Sequence, residues 1–177
     1  MHKDLENLIC KNKAAIIKKW FEAVVHSYPA DTAEFLSGQS DPFANPVGNI
    51  TRESLHGLLE HLIEASDLTT AARHLDPVLR VRAVQNFTPS QATAFVFQLK
   101  PILRQTFKKQ LGQVRLADDL AGLEDRIDRL GLMAFDVYMA CKEQIYRLKA
   151  SETRNRVFRA FERAGLVANG SDNEPGN

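Results

Sequence analysis

The sequence predicts an all-α protein: a single-domain helical bundle around one long central helix. In the stretch Leu116 to Ser151, which contains no proline, apolar residues recur at steps of three and four, the spacing that lines one face of an α-helix. At 1.5 Å per residue this helix is roughly 50 Å long. Its run Gly131 to Phe135 is apolar on every side, which favours a helix surrounded by others. Shorter amphipathic patterns with helix start and stop signals precede it.

One domain is expected from the length of 177 residues, which is enough for a single substantial core. We assign residues 1–165 to this domain. Residues 166–177, which end in NGSDNEPGN, are too polar and turn-rich to pack and are predicted to be a disordered tail. The helical stretch Glu152 to Ala164 either continues the central helix or folds back from it.

The first helix is predicted from about Asp4 to His26, with its lysines mostly on the solvated side. It ends before Tyr28-Pro29, because the residue before a proline avoids helical geometry. A short second helix fits between Asp31, which with Glu34 has capping-box spacing, and Gly38.

The loop DPFANPVG, residues 41–48, contains two prolines and is predicted to be a rigid connector. Phe43 and Val47 are the residues expected to anchor it in the core. Asn49 or Thr51 is then expected to cap a third helix. Its apolar stripe consists of Leu55, Leu58, Leu59, Leu62 and Ile63.

Two junctions carry helix start signals. After a predicted helical turn at Asp67 to His74, Asp76-Pro77 has the N-cap and N1 pattern of a helix through Asn86. Thr88-Pro89-Ser90-Gln91 has the stronger pattern of a complete capping box. The single residue Phe87 between these helices indicates a tight corner, and it is placed to pack against the new helix.

The helix beginning at Thr88 is predicted to run to Leu111 and to bend at Pro101, which has no N–H for the carbonyl of Phe97. The bend could line a pocket for a small apolar ligand, or its aromatic residues could simply fill the core. The pocket residues would be Phe95, Phe97, Pro101, Met133 and Phe135.

The composition argues against several partners. With 23 basic and 22 acidic residues the net charge is +1, which offers no field to attract nucleic acid. No window is long and apolar enough to insert in a membrane, and the N-terminus lacks the apolar region of a signal peptide. Cys10 and Cys141 have no CxxC spacing, so we expect reduced thiols and a cytoplasmic location.

No enzyme template is present: the chain has no nucleophile elbow, glycine-rich phosphate loop, HExxH or DxDxDG pattern. We therefore predict a protein that is not an enzyme and has no cofactor or metal. A helical domain of this size could hold haem, and the formally available axial ligands are His26, His56, His61 and His74. His56 and His61 lie about 140° apart around one helix and cannot readily share a metal.

A set of charges interrupts apolar segments. Arg80 and Arg82 have apolar neighbours, while Asp128 and Asp136 interrupt the central helix, where an unpaired charge is costly to bury. We predict that Arg80 or Arg82 pairs with Asp128 or Asp136 between helices, as a structural ion pair or as a site for an anionic ligand.

Several separated motifs resemble one known family. They are Trp20-Phe21, the loop DPFANPVG, the segment Leu75 to Lys100 and the segment Ile127 to Glu152. Together they resemble, over about residues 14 to 156, the N-terminal domain of the RsbRD family, the RsbT co-antagonists of bacterial stress signalling. The residues that match the family's pattern are Arg80, Arg82, Gln85, Phe87, Pro89, Gln91, Asp128, Asp136 and Tyr138.

This resemblance implies an all-α sensory or interaction module, related in role to the haem-free globin-like domains of stressosome proteins and usually placed ahead of a STAS output domain. After about Gly165 this chain has no room for a STAS domain, so we expect a free-standing version. The expected function is non-catalytic signal input through a protein partner of a signalling pathway. A long helix that must be covered suggests a homodimer.

Overall fold

The fold is described by a computed structural model over residues 3–38, 41, 43–64, 68–85, 87–164 and 166. Within those ranges the regular secondary structure is helical throughout, which confirms the predicted all-α class. The helices are α1 (Lys3–Val25), α2 (Ala30–Gly38), α3 (Pro46–Glu64), α4 (Ala72–Val84), α5 (Pro89–Phe97), α6 (Leu99–Thr106) and α7 (Val114–Arg163), with a 3-10 turn at Leu68–Ala71.

The chain divides into two compact units, Met1–Cys141 and Lys142–Asn177. The first contains α1 to α6 and the beginning of α7, and the second contains the rest of α7. Except for Leu166, the predicted tail lies outside the described residues, so its disorder and the boundary at residue 165 stay predictions.

Helix α7 is the predicted long helix, and its range, Val114–Arg163, includes the helical stretch predicted after Ser151. One face is buried in the first unit. The other is not: the exposed fractions of Leu132 and Phe135 are 68% and 44%. The sequence analysis expected the run Gly131 to Phe135 to be surrounded by other helices. That expectation was wrong, because only Gly131 and Ala134 of this run are buried.

The core of the first unit is formed where α1 meets α3 to α6. Trp20 of α1 is fully buried, and its indole Nε1 donates a 2.7 Å hydrogen bond to the carbonyl of Phe95 in α5. A buried indole N–H needs such a partner, so this bond fixes α1 against α5. The apolar side chains with no measurable exposure include Leu5, Ile9, Ile16, Leu55, Leu58, Leu59, Leu75 and Phe107.

Helix α3 begins earlier than predicted, at Pro46, because Asn45 is its capping residue. The Asn45 Oδ1 accepts from the N–H of Gly48 at 2.8 Å, and its Nδ2 donates to the carbonyl of Leu36 at 3.0 Å. Gly48 permits this approach, since a Cβ there would overlap the Asn45 side chain. Phe43 does not anchor the loop, because 98% of it is exposed. Pro42 lies outside the described residues.

Helix α4 also begins before its predicted signal. It starts at Ala72, and Pro77 lies inside it, where it has no N–H for the carbonyl of Arg73. Asp76 does not cap the helix; its carboxylate accepts from Arg80. Asp67 and Asn86, the other predicted limits in this region, lie outside the described residues.

The corner before α5 has the predicted capping box. The N–H of Gln91 donates to Thr88 Oγ1 at 3.3 Å, and the N–H of Thr88 donates to Gln91 Oε1 at 3.1 Å. The predicted helix is divided into α5 and α6 at Gln98, three residues before Pro101, while the bend itself stays a prediction. Helix α6 ends at Thr106 rather than Leu111, with turns following it.

Arg82 of α4 is fully buried and bonds to two other helix ends. Its Nη1 donates to the carbonyls of Gln91 and Ala92 at 3.1 and 3.3 Å. Its Nη2 donates to Ser27 Oγ at 2.8 Å and the carbonyl of Val24 at 3.4 Å. The guanidinium therefore connects the C-terminal end of α1 to the first turn of α5.

Aromatic rings surround the same group. The Arg82 guanidinium carbon lies 5.3, 4.9 and 5.2 Å from the ring centroids of Tyr28, Phe87 and Phe95, distances typical of cation–π contacts. Burial lowers the pKa of Arg82, yet an arginine stays protonated at neutral pH. Its charge is thus offset by carbonyl oxygens and ring faces rather than by a carboxylate.

We expect Arg82→Lys to lower the free energy of unfolding by about 2–3 kcal/mol, because an ammonium cannot reach acceptors at two helix ends and several charged hydrogen bonds are lost. Urea unfolding followed by far-UV circular dichroism measures this loss. The matched control is Arg80→Lys on the exposed side of α4, for which no measurable change is expected. Equal midpoints for wild type and Arg82→Lys would contradict this role of Arg82.

Candidate functional site

The structure does not bring the four predicted ion-pair residues together. Arg80 bonds Asp76 one turn earlier on α4, with Nε 2.8 Å from Oδ2. Asp128 pairs with Lys100 of α6 at 2.6 Å. Asp136 is exposed, and Arg82 bonds the carbonyl and hydroxyl oxygens described above. The predicted pairs of Arg80 or Arg82 with Asp128 or Asp136 are therefore not formed, because each arginine bonds to acceptors on its own helix or at the ends of neighbouring helices.

A charge pair that the sequence analysis missed connects α6 to α7. Both oxygens of the Glu124 carboxylate accept from Arg104, each at 2.6 Å. Glu124 is buried and stands among the buried residues Leu120, Leu123 and Ile127. A carboxylate inside an apolar stripe is the signal that could have pointed to this pair, because such a group needs a partner.

The five predicted pocket residues lie in different surroundings. Phe95 is a core residue beside Arg82, and Phe97 lies against Gly131 of α7, where a Cβ would overlap its ring. Pro101 and Phe135 are exposed, and Met133 is half-buried. Because most of these side chains reach the surface, the structure does not support an apolar pocket at the bend.

The four histidines do not form a haem site. His26 and His56 are exposed, and His26 Nδ1 lies 2.6 Å from the carbonyl of Glu22. His61 and His74 pack edge to face with ring centroids 5.3 Å apart. In the described part of the chain there is also no group of three or more His, Cys, Asp or Glu side chains that could hold a metal ion.

The His61–His74 pair joins α3 to α4. Arg73 Nε donates to His74 Nε2 at 3.1 Å, so that nitrogen must be unprotonated. Burial lowers the pKa of His74, and its electrostatic interactions with Arg73 and His61 lower it further, while Glu60 raises it. Gly57 makes room for the imidazole, since a Cβ at that position would overlap the ring. The packing of α4 on α3 therefore requires a neutral His74.

One face of α7 in the first unit is apolar and exposed. Leu132, Phe135 and Met139 follow one another at steps of three and four, which places them side by side on the helix. Their exposed fractions are 68%, 44% and 43%, respectively. A contiguous apolar face of this kind typically marks a contact with another molecule. It is the feature of the first unit best suited to protein contact.

Among the helices that the structure describes, none combines the length and the apolar character needed to cross a membrane.

Comparison with known proteins identifies one family. The family model described as the RsbT co-antagonist protein RsbRD N-terminal domain matches residues 14–153. No curated protein and no solved structure gives a match. The match covers most of the chain and agrees with the motifs from which the sequence predicted the same family.

The His74 environment predicts a loss of stability on mild acidification. The folded-state pKa of His74 is lowered, so below the ordinary value near 6.5 the unfolded chain binds a proton that the folded chain excludes. We expect the melting temperature to fall from about pH 7.5 to about pH 6, and to fall less in His74→Gln. Glu60 does not contribute there, since Lys13 lowers the pKa of its carboxyl. Equal decreases in both proteins would contradict the assignment.

Proposed function

The chain belongs to the RsbRD N-terminal domain family, and from that premise we propose that it is a non-catalytic signalling domain that acts by contacting other proteins, including a second copy of itself. The family, a signalling domain type, supports this assignment. The observation that carries it is the exposed apolar face of α7 formed by Leu132, Phe135 and Met139.

The surroundings of this face suit a protein contact. One helical turn before Leu132, Asp128 forms its ion pair with Lys100, and Asp136 is exposed beside Phe135. Apolar side chains at the centre with charged groups at the edge are the usual anatomy of an interface. Covering the apolar centre gains hydrophobic free energy, while the charges stay hydrated at the rim.

Self-association is the simplest way to cover it. In a two-fold dimer each copy presents the same patch, and an apolar helix face can pack on its own copy because its central side chains are uncharged. The signalling partner would then meet a paired module rather than a single chain. The cytoplasmic location inferred from the sequence belongs to the same proposal and stays a prediction.

Sedimentation velocity over a concentration series tests the dimer. We expect a dimer for the wild type and at least about 30-fold weaker association for Leu132→Glu, because the new carboxylate loses its hydration at the centre of the interface. The matched control is Val84→Glu on α4, since 71% of Val84 is exposed and it belongs to a different helix. This variant should associate like the wild type.

Circular dichroism confirms that both variants fold before they are compared. A wild type that sediments as a monomer at every concentration would contradict self-association. A similar weakening by Val84→Glu would show that added negative charge, rather than the α7 face, controls assembly.

A further inference from the structure

A surface groove of about 410 Å³ lies between α1, α2 and α3 in the first unit. Its floor includes Ile17 and Phe21, which are buried in the core on their other sides. Lys18 and Glu22 line it from α1, and Arg52 and His56 line it from α3. The volume falls within the range of small-molecule sites, so the groove can accept an organic ligand rather than only an ion.

Arg52 is held in place without a carboxylate. Its guanidinium carbon lies 4.0 Å from the centroid of the Phe21 ring, a close stacking contact that fixes the plane of the group. Among the described residues the structure records no hydrogen bond and no ion pair from Arg52, whereas Arg80 and Arg104 pair with Asp76 and Glu124. The N–H groups of Arg52 are therefore available to an acceptor that enters the groove.

The charges of the lining favour an anion with a single charge. Lys18 and Arg52 contribute two positive charges and Glu22 one negative charge, so these three side chains have a net charge of +1. A guanidinium binds a carboxylate through two parallel hydrogen bonds. The apolar part of the lining consists of Ala14, which is exposed, and of Ile17 and Phe21, of which 5% and 7% are exposed. An apolar chain along these side chains and a carboxylate at Arg52 would together complement the groove.

We propose that this groove is a binding site for an amphipathic monocarboxylate, with its carboxylate bonded to Arg52 and Lys18 and its apolar chain packed on Ile17 and Phe21. The site lies on α1 and α3, apart from the α7 face, and the proposal does not depend on self-association. It gives the signalling domain a chemical class of input that neither the family match nor the sequence motifs specify.

The test titrates decanoate, below its micelle concentration, into the full chain and follows binding by calorimetry. We expect saturable one-to-one binding that Arg52→Gln weakens about 10- to 100-fold, the loss typical of charged hydrogen bonds. Arg80→Gln, an arginine change on the exposed side of α4, should bind like the wild type. Decanol, which has the same chain without the charge, should bind at least about 10-fold more weakly than decanoate.

Two further variants separate the site from the fold. Lys18→Gln leaves the Arg52–Phe21 stacking intact and should also weaken the binding of decanoate. Ala14→Phe fills the groove from the exposed side of α1 and should abolish binding without altering the far-UV spectrum. Absence of decanoate binding, unchanged affinity in Arg52→Gln, or equal affinities for decanol and decanoate would each overturn the proposal.

Discussion

The fold of the first unit depends on the buried guanidinium of Arg82. A buried charge is costly unless its donors are used, and here the two terminal nitrogens form four hydrogen bonds to atoms at the end of α1 and the start of α5, while the buried Nε has no partner among the described residues. Because three of these acceptors are backbone carbonyls, the bonds constrain where the helices end rather than which side chains they carry. Tyr138 of α7 donates to the carbonyl of Phe87 at the same corner, so the long helix is tied to it as well.

Helix starts were predicted correctly from the sequence where the capping contact involves residues close in the chain. They were predicted poorly where contacts with the rest of the fold determine where the helix begins. The capping box at Thr88 needs only Gln91, and it forms as predicted. Asp76-Pro77 also has a start pattern, but it lies inside α4, because α4 follows directly on the 3-10 turn Leu68–Ala71 and begins at Ala72. The periodicity of α7 predicted a helix, but it could not show which of its apolar residues would stay exposed.

The partners of charged residues were the least predictable part of the candidate sites. Arg80 and Asp76 satisfy the spacing rule for one helix face, so that pair was accessible from the sequence. The pairing of Lys100 with Asp128 depends on the register between two helices, which no local pattern contains. The groove was missed for the same reason, since Phe21 and Arg52 meet only after α1 packs on α3.

The groove and the apolar face of α7 are joined by α3. Arg52 lies on the same helix as His61, whose carbonyl accepts a 3.0 Å hydrogen bond from Nη2 of Arg126 in α7. A ligand shifts a conformational equilibrium only if it binds one of the two conformations more tightly than the other. A carboxylate bound at Arg52 can therefore change self-association through the α7 face only if it favours one position of α3. Because α3 is a continuous helix, a rigid-body shift of α3 at Arg52 would also move the bond between His61 and Arg126, nine residues along. The contact between the His61 and His74 rings opposes such a shift, so any coupling between the two proposed sites would act against the packing of α3 on α4.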